Sequence, residues 1–243
     1  PDNDSKSIGG KISYEFKVKS LIDTIRIDAK NMHFTKVSIN GKEVNYKNNT
    51  KELLLFEGFR KGNNKLTFLY LTTPKQTLYF TGSNENSQIW TQGQGRYTSH
   101  WLPSFDDVNE KVVFRLEVEY NFRYFVLSNG LLKSKIRKNN SNYWSFQMEK
   151  PMSSYLVMLA IGDFEKQETK SKSGTPLEFY IDRNDVTKFE PTYRYSKQIF
   201  DYLEQEIGVK YPWKIYRQVP VRDFLYAGME NTTSTIFAQD FVV

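Results

Sequence analysis

Near its carboxy-terminal end the chain reads Phe224-Leu225-Tyr226-Ala227-Gly228-Met229-Glu230-Asn231. An ionised Glu230 offers only hydrogen-bond acceptors, so a cation such as the α-ammonium of a peptide is a natural partner. Gly228 lacks a Cβ and lets another backbone come close. The run Thr232-Thr233-Ser234-Thr235-Ile236-Phe237 that follows favours an extended strand. A carboxylate on an edge strand can hold a peptide by its backbone and by its charged amino end. A solvated glutamate at a strand start is the ordinary alternative, because exposed Glu is common. The residues by themselves leave both open.

Other chemistry is scarce. The chain has no cysteine, which excludes disulfides, a thiol nucleophile and thiolate metal ligands. Its only two histidines, His33 and His100, lie far apart with no partner four residues on, so three ligands of a catalytic metal site do not assemble. His33 is expected as a strand-turn residue and His100 as a packed neighbour of Trp101. The net charge of +6, from 34 basic and 28 acidic residues, is spread along the chain. The densest basic stretch, Lys133 to Lys138, alternates and ends in Asn-Asn-Ser-Asn, so it reads as a solvated hairpin and not as a nucleic-acid patch. No apolar run is long enough to span a membrane. The chain opens at Pro1 without Met, as after trimming, and its compartment stays open between cytoplasmic and exported.

These residues need elements to position them. At 39% hydrophobic and 16% aromatic, the 243 residues can pack a core in one or two domains. Strict polar–apolar alternation predicts strands at Lys11–Lys19 and Thr24–Asp28. Asn40-Gly41 between Lys36–Ile39 and Lys42–Tyr46 predicts a hairpin, since both residues tolerate positive φ. Further strands are expected at Leu53–Phe56, Lys65–Tyr70, Val112–Tyr120, Tyr143–Met148 and Leu156–Ile161, the last buried on both faces. Short antiparallel strands with turns between them predict a sandwich or large open sheet. From Phe189 a helical pattern begins, with Pro191 in its first turn, apolar residues at Tyr195, Ile199, Tyr202, Leu203 and Ile207, and Gly208 as the stop. Lys214–Pro220 reads as a strand. Charge, Ser and Gly predict a linker at Glu168–Thr175 or just after Ile181.

At this point a resemblance enters. Gly228-Met229-Glu230-Asn231 resembles the Gly-x-Met-Glu-Asn motif of the aminopeptidase N and leukotriene-hydrolase family of zinc metallopeptidases, peptidase family M1. Upstream, Thr91-Gln92-Gly93-Gln94 is similar to that family's Thr/Ser-Gln-x-Gln/Glu segment. Trp101-Leu102-Pro103-Ser104-Phe105-Asp106-Asp107 resembles its hydrophobic-Pro-x-Phe-Asp stretch, with Lys111 where Lys is common. Lys36 to Val44 resembles a strand-turn-strand of the same amino-terminal domain. The blocks occur in order along almost the whole chain.

The resemblance implies a mainly β fold: a saddle-like antiparallel β-sandwich domain over residues 1–184. Residues 185–243 would be the first, α+β part of a thermolysin-like catalytic domain, truncated before the zinc-binding helix. It implies that Glu230 binds the free α-amine of a peptide substrate and that Gln94 contacts the same amine. Some relatives have Glu where this chain has Gln94, a weaker amine acceptor here. Gln92 is a candidate for substrate contact, with a structural cap in its own loop as the equal alternative. Ala227, Gly228, Met229 and Asn231 would accompany Glu230 along the substrate main chain. Tyr226, Leu225 and Phe224 would line the pocket or pack the loop. Ser99 departs from relatives that have Arg near there. Zinc would belong to the parent protein, held by an H-E-x-x-H helix and a later Glu, and none would bind this chain, which stops at Val243. A half-built catalytic domain would also leave apolar surface around Ile199 and Leu203 uncovered. The alternative from another class is a β-sandwich binding module for peptides or proteins that never had catalytic residues.

Overall fold

A computed structural model describes residues 1–83 and 86–243. Strand makes up 47% of it and helix 14%, so the mainly β class holds. The chain forms two compact units, Pro1–Tyr79 with Gly95–Glu110 and Phe80–Gln94 with Lys111–Val243.

In the first unit, β1 (Ile8–Val18), β2 (Ile25–Asp28), β3 (His33–Ile39), β4 (Lys42–Glu43), β5 (Tyr46–Asn48), β6 (Glu52–Leu55) and β7 (Gly62–Thr72) build two antiparallel sheets. Their orders are β1-β7-β3-β4 and β2-β6-β5. β1 and β7 pair along their whole length, from Ile8 opposite Thr72 to Val18 opposite Gly62. The sequence alternation shows why: every second side chain of β1 turns inward and the rest face solvent. Asn40 and Gly41 turn β3 into β4 with φ of 52° and 82°, as a two-residue hairpin requires. The strand after that turn stops at Glu43 instead of running to Tyr46, and Tyr46 opens β5 on the second sheet. There its hydroxyl donates to the Phe34 carbonyl at 2.8 Å. The Phe34 ring meets those of Tyr46 and Phe68 edge-on, and Ile27, Ile39, Leu53, Leu55 and Leu66 are buried with Phe34 and Phe68 in the core of the two sheets.

The Trp101–Asp107 stretch closes this unit. Asp28 and Ser104 exchange backbone hydrogen bonds of 2.9 and 3.0 Å. The buried Asp106 carboxylate accepts from the Ser99 amide at 3.2 Å and the Ser104 hydroxyl at 2.8 Å. His33 is exposed on β3. His100 is partly buried and shares a 2.8 Å hydrogen bond with the Gln76 amide.

The second unit takes over within β8 (Leu78–Thr81). It continues with β9 (Gln88–Thr91), β10 (Lys111–Val112), β11 (Arg115–Asn121), β12 (Phe125–Ser128), β13 (Leu131–Lys138), β14 (Ser141–Gln147), β15 (Met152–Ser153) and β16 (Leu159–Gly162). These make antiparallel sheets β12-β16-β9-β8 and β11-β14-β13 and the short pair β10-β15. β16 is buried at every residue, as its apolar run predicts. Next come β17 (Phe164–Lys170), β18 (Pro176–Asp182), β19 (Tyr216–Val221), β20 (Gly228–Met229) and β21 (Ser234–Ala238). They form one sheet in the order β17-β18-β19-β21-β20. β18, β19 and β21 run parallel, with β17 and β20 antiparallel at the edges. The parallel step from β18 to β19 needs a long crossover, which α1 (Phe189–Tyr193) and α2 (Ser196–Ile207) supply.

One expectation is corrected here. Glu168–Thr175 is no linker: β17 and β18 pair as a hairpin from Phe164 opposite Asp182 to Lys170 opposite Pro176. The Ser and Gly residues there make its turn, with Gly174 at φ 93°. The sheet therefore takes strands from both sides of residue 184. In α2, Gly208 does stop the helix, at φ 71°. Tyr195, Ile199, Tyr202, Leu203 and Ile207 are all exposed, Ile207 at 67%, so the apolar surface around Ile199 and Leu203 is uncovered, as expected. The inner face carries Phe200, packed against the cluster of Leu177, Phe179, Ile181, Phe189 and Tyr193. It also carries buried Asp201, which accepts from the Lys172 amide at 2.7 Å. Among the described residues, no helix is long and apolar enough to cross a membrane.

One buried cation ties two sheets of this unit together. Arg217 on β19 donates from Nε to Glu178 on β18 at 2.6 Å. From Nη1 it donates to the carbonyls of Ser128 at 3.2 Å and Gly130 at 2.7 Å, at the end of β12. Burial by itself would raise the Glu178 carboxyl, but the charge and hydrogen bond of Arg217 outweigh it and hold it below its ordinary 4.5. Arg217→Ala removes the nearer cation from Glu178, leaving Lys166 at 3.4 Å, and takes the guanidinium donor from both carbonyls, of which Ser128 keeps the Ser234 hydroxyl at 3.2 Å. We expect it to destabilise the fold by about 3–5 kcal/mol in urea unfolding. Because the folded-state value of Glu178 is depressed, its contribution is present above the unfolded value. It is lost as the pH falls from 4.5 through the depressed value. Glu178→Gln should therefore flatten the acid limb of a stability–pH curve; an unchanged limb would show that the pair carries no such weight.

Candidate functional site

β20 holds the sheet edge on which the carboxy-terminal motif sits. Gly228 pairs with Phe237 and Met229 with Ile236. The amide of Ala238 donates to the Ala227 carbonyl at 3.0 Å. Among the described residues no further strand pairs with the outer side of β20. Successive side chains alternate faces in a strand, and Met229 is buried at 1% exposure. Glu230 then turns outward and is exposed. It has no hydrogen bond or ion pair among the described residues. A free carboxylate one residue beyond an open strand edge can accept an ammonium at the end of an added strand.

Gly228 allows a close approach, and in this structure that approach is to the neighbouring strand. A Cβ there would meet Phe237 Cδ1 at 2.9 Å and the Ile236 carbonyl at 3.1 Å. Asn231 is buried, and its Nδ2 donates to the Leu156 carbonyl at 3.3 Å. Leu225, Tyr226 and Ala227 are exposed on the loop before β20. Phe224 packs edge-on against Trp90 at 5.1 Å, so it secures the loop.

The Thr91–Gln94 segment leaves the end of β9. Gln94 is exposed and Gln92 buried. Gln92 Oε1 accepts from the Gln94 amide at 3.0 Å, a cap within its own loop. Its Nε2 is buried and has no partner among the described residues. No hydrogen bond joins Gln94 to Glu230. Both segments are, however, tied to residues 156–159: the Leu159 amide donates to Thr91 Oγ1 at 2.9 Å, and Asn231 reaches Leu156. Cavities of about 500, 100 and 390 Å³ are lined by other residues, and none of these three includes Glu230 or Gln94.

The structure adds residues with no local signal in the sequence. Asn129 donates to the carbonyls of Leu156 at 2.9 Å and Thr232 at 2.6 Å, and accepts from the Met158 amide at 2.7 Å. Ser128-Asn129-Gly130 looks like any turn, and only the fold brings Thr232 to it. Likewise Asp182 at the end of β18 accepts from Arg222 at 2.5 Å and from Gln88 Nε2 at 3.0 Å. Among the described residues no group of three His, Cys, Asp or Glu side chains could hold a metal ion.

Gly228→Ala tests how tightly β20 is held. The added methyl must displace Phe237 or the strand, and we expect a loss of about 1–3 kcal/mol in thermal or urea unfolding. Phe237→Leu in the same chain should recover part of that loss. A neutral Gly228→Ala would mean that β20 yields freely.

Residues 1–156 match the family model of the peptidase M1 N-terminal domain. The chain is 32% identical over 131 residues to glutamyl aminopeptidase of Mus musculus, covering 54% of this chain and 14% of that protein. It is 23% identical over 227 residues to leucyl aminopeptidase of Saccharolobus solfataricus, covering 93% of this chain and 29% of that protein. It is 25% identical over 241 residues to probable aminopeptidase 1 of Sulfurisphaera tokodaii, again covering 93% and 29%. The chain spans less than a third of the length of these relatives. With well over half of its residues inside the family match, the chain belongs to the peptidase M1 N-terminal domain family.

Proposed function

We propose that this chain is the amino-terminal part of a zinc aminopeptidase that removes amino-terminal residues from peptides, and that it supplies the amine-recognition half of the substrate site. The observation that carries this reading is Glu230: exposed, unpaired among the described residues, and placed just past the open edge of β20. A peptide adding alongside β20 bonds its main chain to the free edge and brings its ammonium to that carboxylate. Gln94 is the second acceptor for the same ammonium, through its amide oxygen. Gln92 and Asn231 hold the two segments in place, and Gly228, Met229 and Ala227 present the edge. In this reading, residues 185–243 open the catalytic domain.

Among the described residues no cluster fits a zinc site, so no step through the metal is assigned to them. What this chain contributes is selection and position. A charge-assisted bond to an ammonium contributes roughly 1.5–3 kcal/mol. Spent at a fixed place on the edge strand, it favours substrates whose first residue sits there and thereby counts one residue from the chain end. The aminopeptidase names of the relatives support the reading, and no observation favours a stand-alone binding module over it.

In the aminopeptidase that contains this chain, Glu230→Ala should lower kcat/KM for amino-acid anilides by about 10- to 100-fold. Bound zinc should stay unchanged. Unchanged turnover would remove the amine-binding role. The 243-residue chain alone should show no chelator-sensitive hydrolysis of the same substrates. Measurable turnover that a chelator abolishes would contradict the division of the site.

A further inference from the structure

Arg222 is anchored at four of its own atoms, and three of them lead to one stretch of chain. Its amide donates to Gln88 Oε1 at 2.9 Å, and its carbonyl accepts from Trp90 Nε1 at 2.9 Å. Its Nη1 donates to the Asn86 carbonyl at 2.6 Å, and its Nη2 to Asp182 at 2.5 Å. Gln88 closes the ring by donating from Nε2 to the same Asp182 oxygen at 3.0 Å. The Asp182 side chain is only 5% exposed and that of Arg222 only 22%. Both are far more buried than a surface ion pair, and a buried pair with its donors satisfied holds one geometry.

What this ring joins matters more than its strength. Residues 86–90 run through β9 directly into Thr91–Gln94. Arg222 ends β19 and starts the loop that carries Phe224 to Glu230. The two segments proposed to grip the α-amine therefore both leave a common clamp, each on its carboxy-terminal side. Gln94 lies four residues past Trp90, and Glu230 eight past Arg222. We infer that Arg222 is a positioning residue: it sets the spacing between Gln94 and Glu230, and so the preference for a charged amino terminus, without touching substrate. The inference rests on the amine-binding reading of Glu230. Arg222 suits the task because its planar fork can bond Asp182 and the Asn86 carbonyl together, whereas a lysine ammonium would satisfy one.

The test compares two inhibitors of the full-length aminopeptidase that contains this chain: leucine hydroxamate and its des-amino analogue. The ratio of their inhibition constants reads amine recognition and cancels contacts common to both. Arg222→Ala should shrink that ratio by roughly 10- to 100-fold, the scale of an ångström-sized misplacement, with bound zinc unchanged. Arg222→Lys should restore part of it. If Arg222→Ala does not accumulate as folded protein, Asp182→Asn carries the same test. A fall in stability with both inhibition constants raised equally and the ratio intact would overturn the inference. Glu230→Ala is run in parallel: a ratio that survives it defeats the amine-binding reading itself, while a ratio that collapses there but not in Arg222→Ala defeats only the role of Arg222.

Discussion

A strand bonded on one side only is the constraint from which the rest follows. β20 is two residues long, pairs inward with β21, and leaves its outer edge open among the described residues. Two residues cannot hold a register by themselves. Met229 does so by burying its side chain, and a slip of one residue would bury Glu230 in its place, which an unpaired carboxylate resists. The apolar neighbour thus decides where the charge points. The open edge supplies main-chain donors and acceptors, and the outward glutamate adds an end point to them.

Support for this edge is polar to an unusual degree. Asn129 holds Thr232, Asn231 holds Leu156, and Arg217 spans Glu178 and two carbonyls at the end of β12. Such groups stabilise modestly when satisfied and cost heavily when one partner is lost, so they specify one arrangement more than they add to overall stability. In the proposed function, that arrangement presents a carboxylate and a backbone edge at set positions. The sandwich of the first unit, by contrast, rests mainly on buried Ile, Leu, Val and Met side chains packed with Phe34 and Phe68.

Features with short-range causes were legible in the sequence. The Asn40-Gly41 hairpin, the β1 alternation and the Gly208 helix stop depend on φ preferences and period-two burial, which neighbouring residues determine. Features with distant causes were not. The parallel pairing of β18, β19 and β21 leaves no local mark, and the β17–β18 hairpin turn has the same composition as a linker. The period of Tyr195 to Ile207 located α2 but not its inner face, because Asp201 finds its donors in Lys197 and the Lys172 amide, which the helix pattern does not reveal. At the candidate site, Glu230 and its neighbours were readable as a motif. Phe224 packs on Trp90 of β9 and Gln92 Oε1 caps the Gln94 amide, contacts the motif does not specify, and the Arg222–Asp182 clamp, forty residues apart in the chain, was invisible.

The most direct measurement is an experimental structure of the full-length protein containing this chain, bound to a peptide with a free amino terminus. The account predicts the α-ammonium nitrogen within about 3 Å of the Glu230 carboxylate and of the Gln94 amide oxygen, with the peptide main chain alongside β20. An ammonium lodged elsewhere, with Glu230 still in solvent, would contradict it.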